Sequence, residues 1–287
     1  MKINADLVGV KLGPLPGSWD SRDCALYALG IGAGQEDPLR ELEFTTYSLG
    51  GRQQVVYPTF GVLAGGRVGV GSLLEVLGDA VDPGTMLHGE QKYEQLRPFP
   101  TEATVVITAE ITAVWDKGNA TVIETVSEIA DVDGGEPYCR STQAMFFRGI
   151  GGWGGERGPS SRPKNIDGAP DRVLRVATRP DQALFYRLSG DNNPLHFDPE
   201  FAARAGFDRP ILHGLCTYGV VGRKLLAEYA GSDPQRFVSL SGRFSRPAFP
   251  GDTLRIDAWQ GGEEVSFVVR RDNGEVLLSN GEFVLHE

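Results

Sequence analysis

The amino-acid sequence predicts an α+β fold in which antiparallel sheet wraps around central helices, with this arrangement present twice along the chain. Three observations support the prediction. Long β-branched and aromatic segments are separated by tight turns, one helical segment is apolar on almost every side, and short stretches of the first half reappear in order in the second. The length of 287 residues fits two domains of ordinary size.

The predicted strands form one series in each half. The first series is TVVITAEITAVWD, ATVIETVSEIADV and YCRSTQAMFFR, and the second is DTLRIDAWQ, EEVSFVVRRD and EVLLSNGEFVLHE. Turn signals such as Lys117-Gly118-Asn119 stand between neighbouring segments. Short turns between long strands require antiparallel pairing.

Residues 214–230, GLCTYGVVGRKLLAEYA, are the predicted central helix. The segment is apolar around most of its first half, so it is expected to be buried on nearly all sides. Gly219 and Gly222 lower its helix propensity, and close packing against a sheet is the expected compensation. An antiparallel sheet wrapped around one such helix is the hot-dog architecture, and two halves make a double hot dog.

A segment rich in Gly, Pro and Ser, residues 148–170, separates the two halves and indicates a linker. Two segments of the first half resemble segments of the second. Residues 23–32, DCALYALGIG, resemble residues 181–190, DQALFYRLSG, and residues 97–111, RPFPTEATVVITAEI, resemble residues 246–259, RPAFPGDTLRIDAW. Their shared order favours a duplicated unit. The predicted organisation is a repeat at 1–148, a linker at 149–171 and a second repeat at 172–287.

Composition excludes several classes of partner and cofactor. The net charge of −10 and the pI near 5.0 argue against nucleic acid and against an anionic membrane surface. No apolar run is long enough to span a bilayer, and three cysteines without a CxxC pair indicate a reducing, cytoplasmic compartment. Four scattered histidines predict no metal site, and no cofactor is expected.

The segment FYRLSGDNNPLHFDPEFAARAGFDRPILHGLCTYG contains the predicted chemistry. Thr178 is expected to cap a short helix that ends near Gly190, and Asp198 to cap a second one that ends at Gly206. Two short helices therefore bracket a loop at residues 191–196.

This loop brings together side chains suited to proton transfer. Asp191 and Asn193 are two residues apart and share one side of an extended segment, and a turn at Pro194 would return His196 to them. A carboxylate and an imidazole within reach of one water form an acid/base pair. The structural alternative is that Asp191 caps a turn and His196 bonds a backbone carbonyl.

The string SGDNNPLHFDPEFAARAGFDRPILHG resembles the signature of the MaoC-like, or 2-enoyl-CoA hydratase 2, family. Its elements stand here in order as Gly190-Asp191, Asn193-Pro194, His196 and His213-Gly214. LHGEQKYEQLRPFP and RFSRPAFPGDTL also look like strands of the two-repeat members. The resemblance implies an (R)-specific enzyme that reversibly hydrates trans-2-enoyl thioesters to (3R)-hydroxyacyl thioesters.

The resemblance also implies residue roles. Asp191 and His196 would be the catalytic pair, Asn193 would support them, and the amide of Gly214 would polarise the thioester carbonyl. The physical chemistry of Gly214 agrees, since a helix N-terminus favours the negative charge that develops on that oxygen.

The first half lacks the residues of this predicted catalytic loop. Aligning Gly32 with Gly190 puts Ala33 at the position of Asp191 and Pro38 at that of His196. One active site per chain follows, and the groove of the first repeat is predicted to hold the acyl chain.

Further candidates are assigned to substrate binding or to structure. Arg243, Arg246 and Arg204 are candidates for the CoA phosphates, and His213 for the start of the central helix or for substrate. His88 is expected to be a structural residue at a strand edge, and Cys216 to pack in the core.

Two other functions stay open. A hot-dog thioesterase often has a carboxylate in the first turn of the central helix, where this chain has Leu215, Cys216, Thr217 and Tyr218. A non-catalytic acyl-thioester-binding subunit would not need the intact loop. The carrier, CoA or acyl carrier protein, is also open, and a homodimer is expected.

Overall fold

The computed structural model describes residues 3–47, 50–51, 53–66, 71–159 and 166–286. The strands are β1 Lys11–Trp19, β2 Met86–Gln95, β3 Ala103–Asp116, β4 Ala120–Asp131, β5 Cys139–Arg148, β6 Arg172–Ala177, β7 Phe237–Phe244, β8 Thr253–Gly261, β9 Glu264–Arg271 and β10 Val276–Leu285. The α-helices are α1 Ser21–Gly30, α2 Leu42–Thr45, α3 Gly61–Gly66, α4 Leu73–Leu77, α5 Gln182–Tyr186, α6 Pro199–Arg204 and α7 Gly214–Ala230. Short 3-10 turns lie at Ala5–Leu7, Pro58–Phe60, Gly78–Ala80, Pro83–Thr85, Arg187–Ser189, Pro194–His196 and Pro234–Arg236.

All ten strands form one sheet in the order β1-β3-β4-β5-β2-β7-β10-β9-β8-β6. Every neighbouring pair is antiparallel, as the short turns predicted. The six predicted strands are present within two residues of their expected ends. The two halves join where β2 pairs with β7, from Glu90↔Arg243 to Glu94↔Ser239. The predicted α+β, double hot-dog architecture is confirmed.

The two edge strands, β1 and β6, were not predicted from the sequence. The sequence of β1, KLGPLPGSW, contains Pro14 and Pro16, which cannot donate ladder hydrogen bonds and are tolerated at a sheet edge. β6 has six residues, too few for a clear alternation of apolar side chains. Each half therefore begins with an edge strand before its first helix.

Helix α7 has the predicted bounds and is buried along most of its length. A Cβ on Gly219 would lie 2.6 Å from Ile31 Cγ2, and one on Gly222 would lie 2.9 Å from Thr59 Cγ2. Gly222 also faces Leu240 of β7 at 3.0 Å, as predicted for contact with a sheet. The partner of Gly219 lies instead just after α1 of the first half, so α7 packs against both repeats.

The linker is attached to the sheet over its first residues. The carboxylate of Asp116 accepts hydrogen bonds from the N–H groups of Gly118, Gly152 and Gly154, each at 2.8 Å. These backbone donors hold the pKa of Asp116 below its usual value. Residues 160–165, which the linker prediction also includes, lie outside the described residues.

A buried ion pair connects the two halves. Arg223 of α7, 3% exposed, donates to both carboxylate oxygens of Glu41, at 2.9 and 2.8 Å. Glu41 has a left-handed backbone, φ 58°, and also accepts from the N–H of Gly34 and the hydroxyl of Tyr57. Burial alone would raise the pKa of Glu41, but Arg223 and these donors lower it below its ordinary value.

No helix in the described ranges is long and apolar enough to cross a membrane.

Removing the Arg223 guanidinium should destabilise the fold, because Glu41 would keep a buried charge without its partner. We expect Arg223→Met to lower the free energy of unfolding by about 3 kcal/mol, measured by urea unfolding with linear extrapolation. The control is Arg175→Met, which breaks a pair with Asp272 in which both side chains are more than half exposed. That variant should lose less than about 1 kcal/mol. Equal losses would contradict the inference.

Candidate active site

A cavity of about 670 Å³ lies between the two halves. Its second-half wall includes the predicted loop and the first turn of α7: Asp191, Asn193, His196, Gly214, Leu215 and Thr217. Its first-half wall comes mainly from the sheet and α3: Leu63, Met86, His88, Gln143, Met145 and Phe146. The volume is in the range of small-molecule sites.

The bracketing helices differ slightly from the prediction. Thr178 does not cap α5, because its hydroxyl bonds the carbonyl of Asp252 at 2.8 Å and accepts from the N–H of Gly251. The residue before α5 is Asp181, and its side chain makes no capping bond. The turn after α5 ends at Gly190, where φ is 121°. The predicted end near Gly190 and the predicted Asp198 cap of α6 are confirmed.

The loop is held by hydrogen bonds of its own. The N–H of Asn193 donates to the Asp191 carboxylate at 3.2 Å, and the Asn193 side chain accepts from the N–H of Leu195 at 3.0 Å. Asn193 therefore starts the turn Pro194–His196 that returns the chain toward Asp191. Its side-chain oxygen stabilises the loop backbone, and its support of the Asp191 and His196 pair stays a prediction.

His196 is 8% exposed and lines the cavity. Its Nδ1 lies 3.0 Å from the carbonyl of Ile211, which accepts and cannot donate. The neutral ring therefore has its proton on Nδ1 and a lone pair on Nε2. Both contacts of the structural alternative therefore exist, because Asp191 also accepts from the N–H of Asn193 and caps that turn.

His213 joins the loop to α7. The ring is fully buried, and its Nε2 donates to the backbone carbonyl of Asp191 at 3.1 Å. It stacks on His196 with ring centroids 3.8 Å apart, and its own carbonyl accepts from the N–H of Thr217 in the first turn of α7. The Nδ1 atom has no hydrogen-bond partner in the described part of the chain. His213 lies behind the cavity wall, at the start of the helix.

Burial sets the charge of both rings. It lowers the pKa of His196, although the nearby Asp191 carboxylate raises it, and the net direction is down. Burial and the neighbouring His196 lower the pKa of His213 to about 2. Both imidazoles are therefore neutral near pH 7.

The first turn of α7 lines the cavity through Gly214, Leu215 and Thr217. The first N–H groups of a helix have no acceptor within the helix, and the helix dipole adds positive potential there. A Cβ on Gly214 would lie 3.2 Å from Cε1 of Phe244, so a side chain would crowd this wall. Cys216 is fully buried, and its thiol contacts the Gly30 carbonyl at 3.5 Å, in agreement with the predicted packing role.

The predicted arginines separate into two groups. Arg243 and Arg246 line the cavity and lie near carboxylates, 3.9 Å from Glu90 and 3.2 Å from Glu275. Arg204 is exposed at the end of α6, outside the cavity wall, and its guanidinium lies over the ring of Phe201. The structure therefore brings two of the three arginines to the site.

His88 lies near the start of β2, before the pairing with β7 begins at Glu90, and its ring lines the cavity, which the sequence did not predict. His88 Nε2 lies 3.1 Å from the carbonyl of Glu90, and its ring centroid lies 4.8 Å from that of Phe244. Burial lowers the pKa of His88 to about 4. The sequence analysis also did not predict that Gln143 and Met145 line the cavity. The alternation of side chains along a strand indicates that they point inward, but not that a cavity lies there.

Asp191, His196 and His213 also have the donor types of a metal site, with one ligand atom of each within 4.8 Å of the others. The description of the histidines as scattered was therefore wrong for these two. One nitrogen of each ring is already bonded to a backbone carbonyl, at Ile211 and at Asp191. That the site uses no metal stays a prediction.

Comparison with known proteins gives matches over both halves. Residues 18–149 match the MFE-2 hydratase 2 N-terminal domain, and residues 162–280 match the MaoC like domain.

Three similar proteins extend over almost the whole chain. Enoyl-CoA hydratase ChsH3 of Mycobacterium tuberculosis is 39% identical over 99% of this chain and 99% of that protein. A probable enoyl-CoA hydratase 2 of Dictyostelium discoideum is 36% identical over 97% of this chain and 95% of that protein. The crystal structure of a MaoC-like dehydratase from Phytophthora capsici is 33% identical, with a TM-score of 0.86, and the match covers 99% of this chain and 98% of that one.

The neutral histidines make the stability of the protein pH-dependent. Because His88, His196 and His213 have lower pKa values folded than unfolded, the unfolded chain binds more protons below pH 6.5. Stability is then present above pH 6.5 and lost as the pH falls, by up to about 1.4 kcal/mol per pH unit for each histidine. Urea unfolding at pH 8, 7, 6 and 5 measures this, and His88→Gln should reduce the slope. A free energy of unfolding that stays constant from pH 8 to pH 5 would show that these rings are not held neutral.

Proposed function

This chain belongs to the MaoC-like, enoyl-CoA hydratase 2 family, and we propose that it is an (R)-specific 2-enoyl-CoA hydratase with Asp191 and His196 as its acid/base pair. One observation supports the pair above all others. A half-buried carboxylate and a neutral imidazole share one wall of the cavity with the first turn of α7. The (3R)-hydroxyacyl-thioester dehydratase activity is the same reaction in reverse.

Hydration proceeds by addition of one water across C2 and C3 of the enoyl thioester. The water oxygen bonds to C3 while one of its protons passes to the pair, and the C2–C3 π electrons move toward the thioester carbonyl. The pair then delivers a proton to C2 on the same face, so that the addition is syn. The N–H of Gly214 stabilises the negative charge that develops on the carbonyl oxygen.

Asp191 and His196 act together on one water. The lone pair on His196 Nε2 and the Asp191 carboxylate are both hydrogen-bond acceptors, so both can hold the water that attacks C3. We therefore assign the base to the pair and Asn193 to the support of its loop.

The two ends of the substrate go to different parts of the cavity. The acyl chain lies against the first-half wall, where Leu63, Met86 and Met145 are apolar. Arg243 and Arg246 at the cavity supply cations for the phosphates of CoA. The carrier is CoA or acyl carrier protein, since a small number of local cations serves either phosphate-bearing group.

We propose the same domain boundaries as the sequence indicates: an acyl-binding repeat at 1–148, a linker at 149–171 and a catalytic repeat at 172–287. The end of β5 at Arg148 and the start of β6 at Arg172 support them. A homodimer in the cytoplasm is part of the proposal, and the three buried free thiols Cys24, Cys139 and Cys216 support a reducing compartment.

Changing either member of the pair should abolish most activity. We expect Asp191→Asn and His196→Gln each to lower kcat for crotonyl-CoA hydration by about 100-fold or more. The assay measures the rate at which enoyl absorbance is lost. Chiral analysis of the product should give the (3R) isomer.

The matched controls are His286→Gln and Asp272→Asn, which make the same changes at exposed positions outside the cavity. They should keep full activity, and circular dichroism should show all four variants folded. Near-normal turnover in either pair variant would refute the assignment. Release of free thiol, detected with a thiol dye, would indicate a thioesterase.

Truncating a side chain of the first-half wall should change the preference of the enzyme for the length of the acyl chain. Met145 is 3% exposed and lines the cavity, so Met145→Ala removes contacts that a long acyl chain makes. We expect kcat/KM to fall about tenfold more for a C10 than for a C4 enoyl-CoA. Val269→Ala, a buried truncation in β9 outside the cavity wall, should affect both lengths alike. Equal losses with Met145→Ala would contradict the acyl-chain assignment.

A further inference from the structure

His213 contacts both members of the proposed acid/base pair from outside the cavity. Its Nε2 donates to the backbone carbonyl of Asp191 at 3.1 Å, and its ring stacks on that of His196, with centroids 3.8 Å apart and planes inclined by 29°. The side chain is fully buried, and His213 is not among the described residues that line the cavity. An effect of His213 on a substrate in the cavity must therefore pass through Asp191 and His196.

The ring of His213 is itself held by its surroundings. The fully buried Tyr186 of α5 lies beside it, with ring centroids 5.0 Å apart. The carbonyl of His213 accepts from the N–H and from the hydroxyl of Thr217, at 3.1 and 3.3 Å. The preceding residue, Leu212, donates its N–H to the carbonyl of Ala248 at 2.8 Å. These contacts make the ring a fixed support for the loop at residues 191–196.

His213 has no part in proton transfer near pH 7. Burial and the neighbouring His196 lower the pKa of His213 to about 2, so the ring is neutral. Its single proton is on the Nε2 that donates to the Asp191 carbonyl, and its Nδ1 has no hydrogen-bond partner in the described part of the chain. The two contacts with the loop therefore act through geometry.

The two contacts fix different parts of the loop. The hydrogen bond fixes the backbone at Asp191, where the loop begins, and the stack fixes the ring of His196, where it ends. The other contact of that ring, from its Nδ1 to the carbonyl of Ile211, determines the tautomer and leaves the opposite nitrogen free. Proton transfer through one shared water depends on the distance between the two groups, and a displacement of about 1 Å costs about 100-fold in rate.

We propose that His213 is a positioning residue for the hydration reaction, which fixes the Asp191 carboxylate and the His196 imidazole at the separation where both hold the same water. The inference rests on the proposed function, because that function assigns the reaction to this pair. The hydrogen bond places Asp191, and the stack places His196.

Three substitutions separate the two contacts. His213→Phe keeps a ring and removes the donor, His213→Asn keeps a donor and removes the ring, and His213→Ala removes both. We expect the first two each to lower kcat for crotonyl-CoA hydration by about tenfold and His213→Ala by about 100-fold, with KM within about twofold of the wild type. An unchanged kcat in His213→Phe and His213→Asn would overturn the proposal, and so would a raised KM at constant kcat, which indicates substrate contact.

The control for a general loss of stability is Thr178→Val. Thr178 is also buried, and its hydroxyl donates to a backbone carbonyl, that of Asp252, at 2.8 Å and outside the cavity wall. We expect this variant to keep kcat within about twofold of the wild type, although urea unfolding shows it to be less stable. A fall in kcat equal to that of the folded His213 variants would mean that destabilisation alone explains their loss, and the proposal would be wrong.

A second measurement reads the position of His196 without using activity. The chain has four histidines, so their ring nitrogens can be followed by ¹⁵N NMR in histidine-labelled protein. In the wild type, His196 should show one tautomer, protonated at Nδ1. In His213→Asn the ring loses its stacking partner, and we expect the two tautomers to mix while the exposed His286 stays unchanged. An unchanged His196 signal would refute the role of the stack.

The two measurements distinguish the failure of this inference from the failure of the proposed function. Hydration by the wild type together with unchanged kcat and unchanged His196 signals in the variants would leave the hydratase assignment intact and refute the role of His213. A wild type that hydrates no enoyl thioester, crotonyl-CoA included, would refute the proposed function and with it the role in hydration, even if the His196 signal still depends on His213.

Discussion

The imidazole of His213 holds the loop at residues 191–196 against the central helix, and the geometry of the candidate site depends on this contact. One face of the ring stacks on His196, its Nε2 binds the backbone of Asp191, and its carbonyl accepts from the first turn of α7. Because the ring is fully buried and neutral, it contributes as a rigid spacer rather than as a charge. Asp191, His196 and the first turn of α7 are thus held in position by contacts with the same residue.

The two repeats have the same sheet architecture but different interiors. The second half has the 17-residue helix α7, whereas the first has the short helices α3 and α4 at the corresponding stage of the chain. The long helix packs through Gly219 and Gly222 against both halves and is fixed there by Arg223 and Glu41. The half that contains α7 and the loop at residues 191–196 therefore faces a first half that contributes cavity wall.

The sequence predicted α7, six strands and the loop at 191–196, because each has a strong local pattern. It could not predict the edge strands, because the prolines of β1 are unusual in a strand and β6 is too short to show a clear alternation of apolar side chains. The contact between His213 and Asp191 joins residues 22 apart, and no periodicity indicates it. The cavity position of His88 depends on which strands are neighbours in the sheet, which is a property of topology.

The two repeats share one hydrogen-bonded sheet through β2 and β7 and are joined in one polypeptide, and this has an evolutionary consequence. In a symmetric dimer of single repeats, every substitution appears twice, so a polar residue added for selectivity in one subunit is also copied into the other. Here a mutation in the first repeat has no mirror image in the second. Selectivity and reactivity can therefore diverge by separate mutations within a single gene.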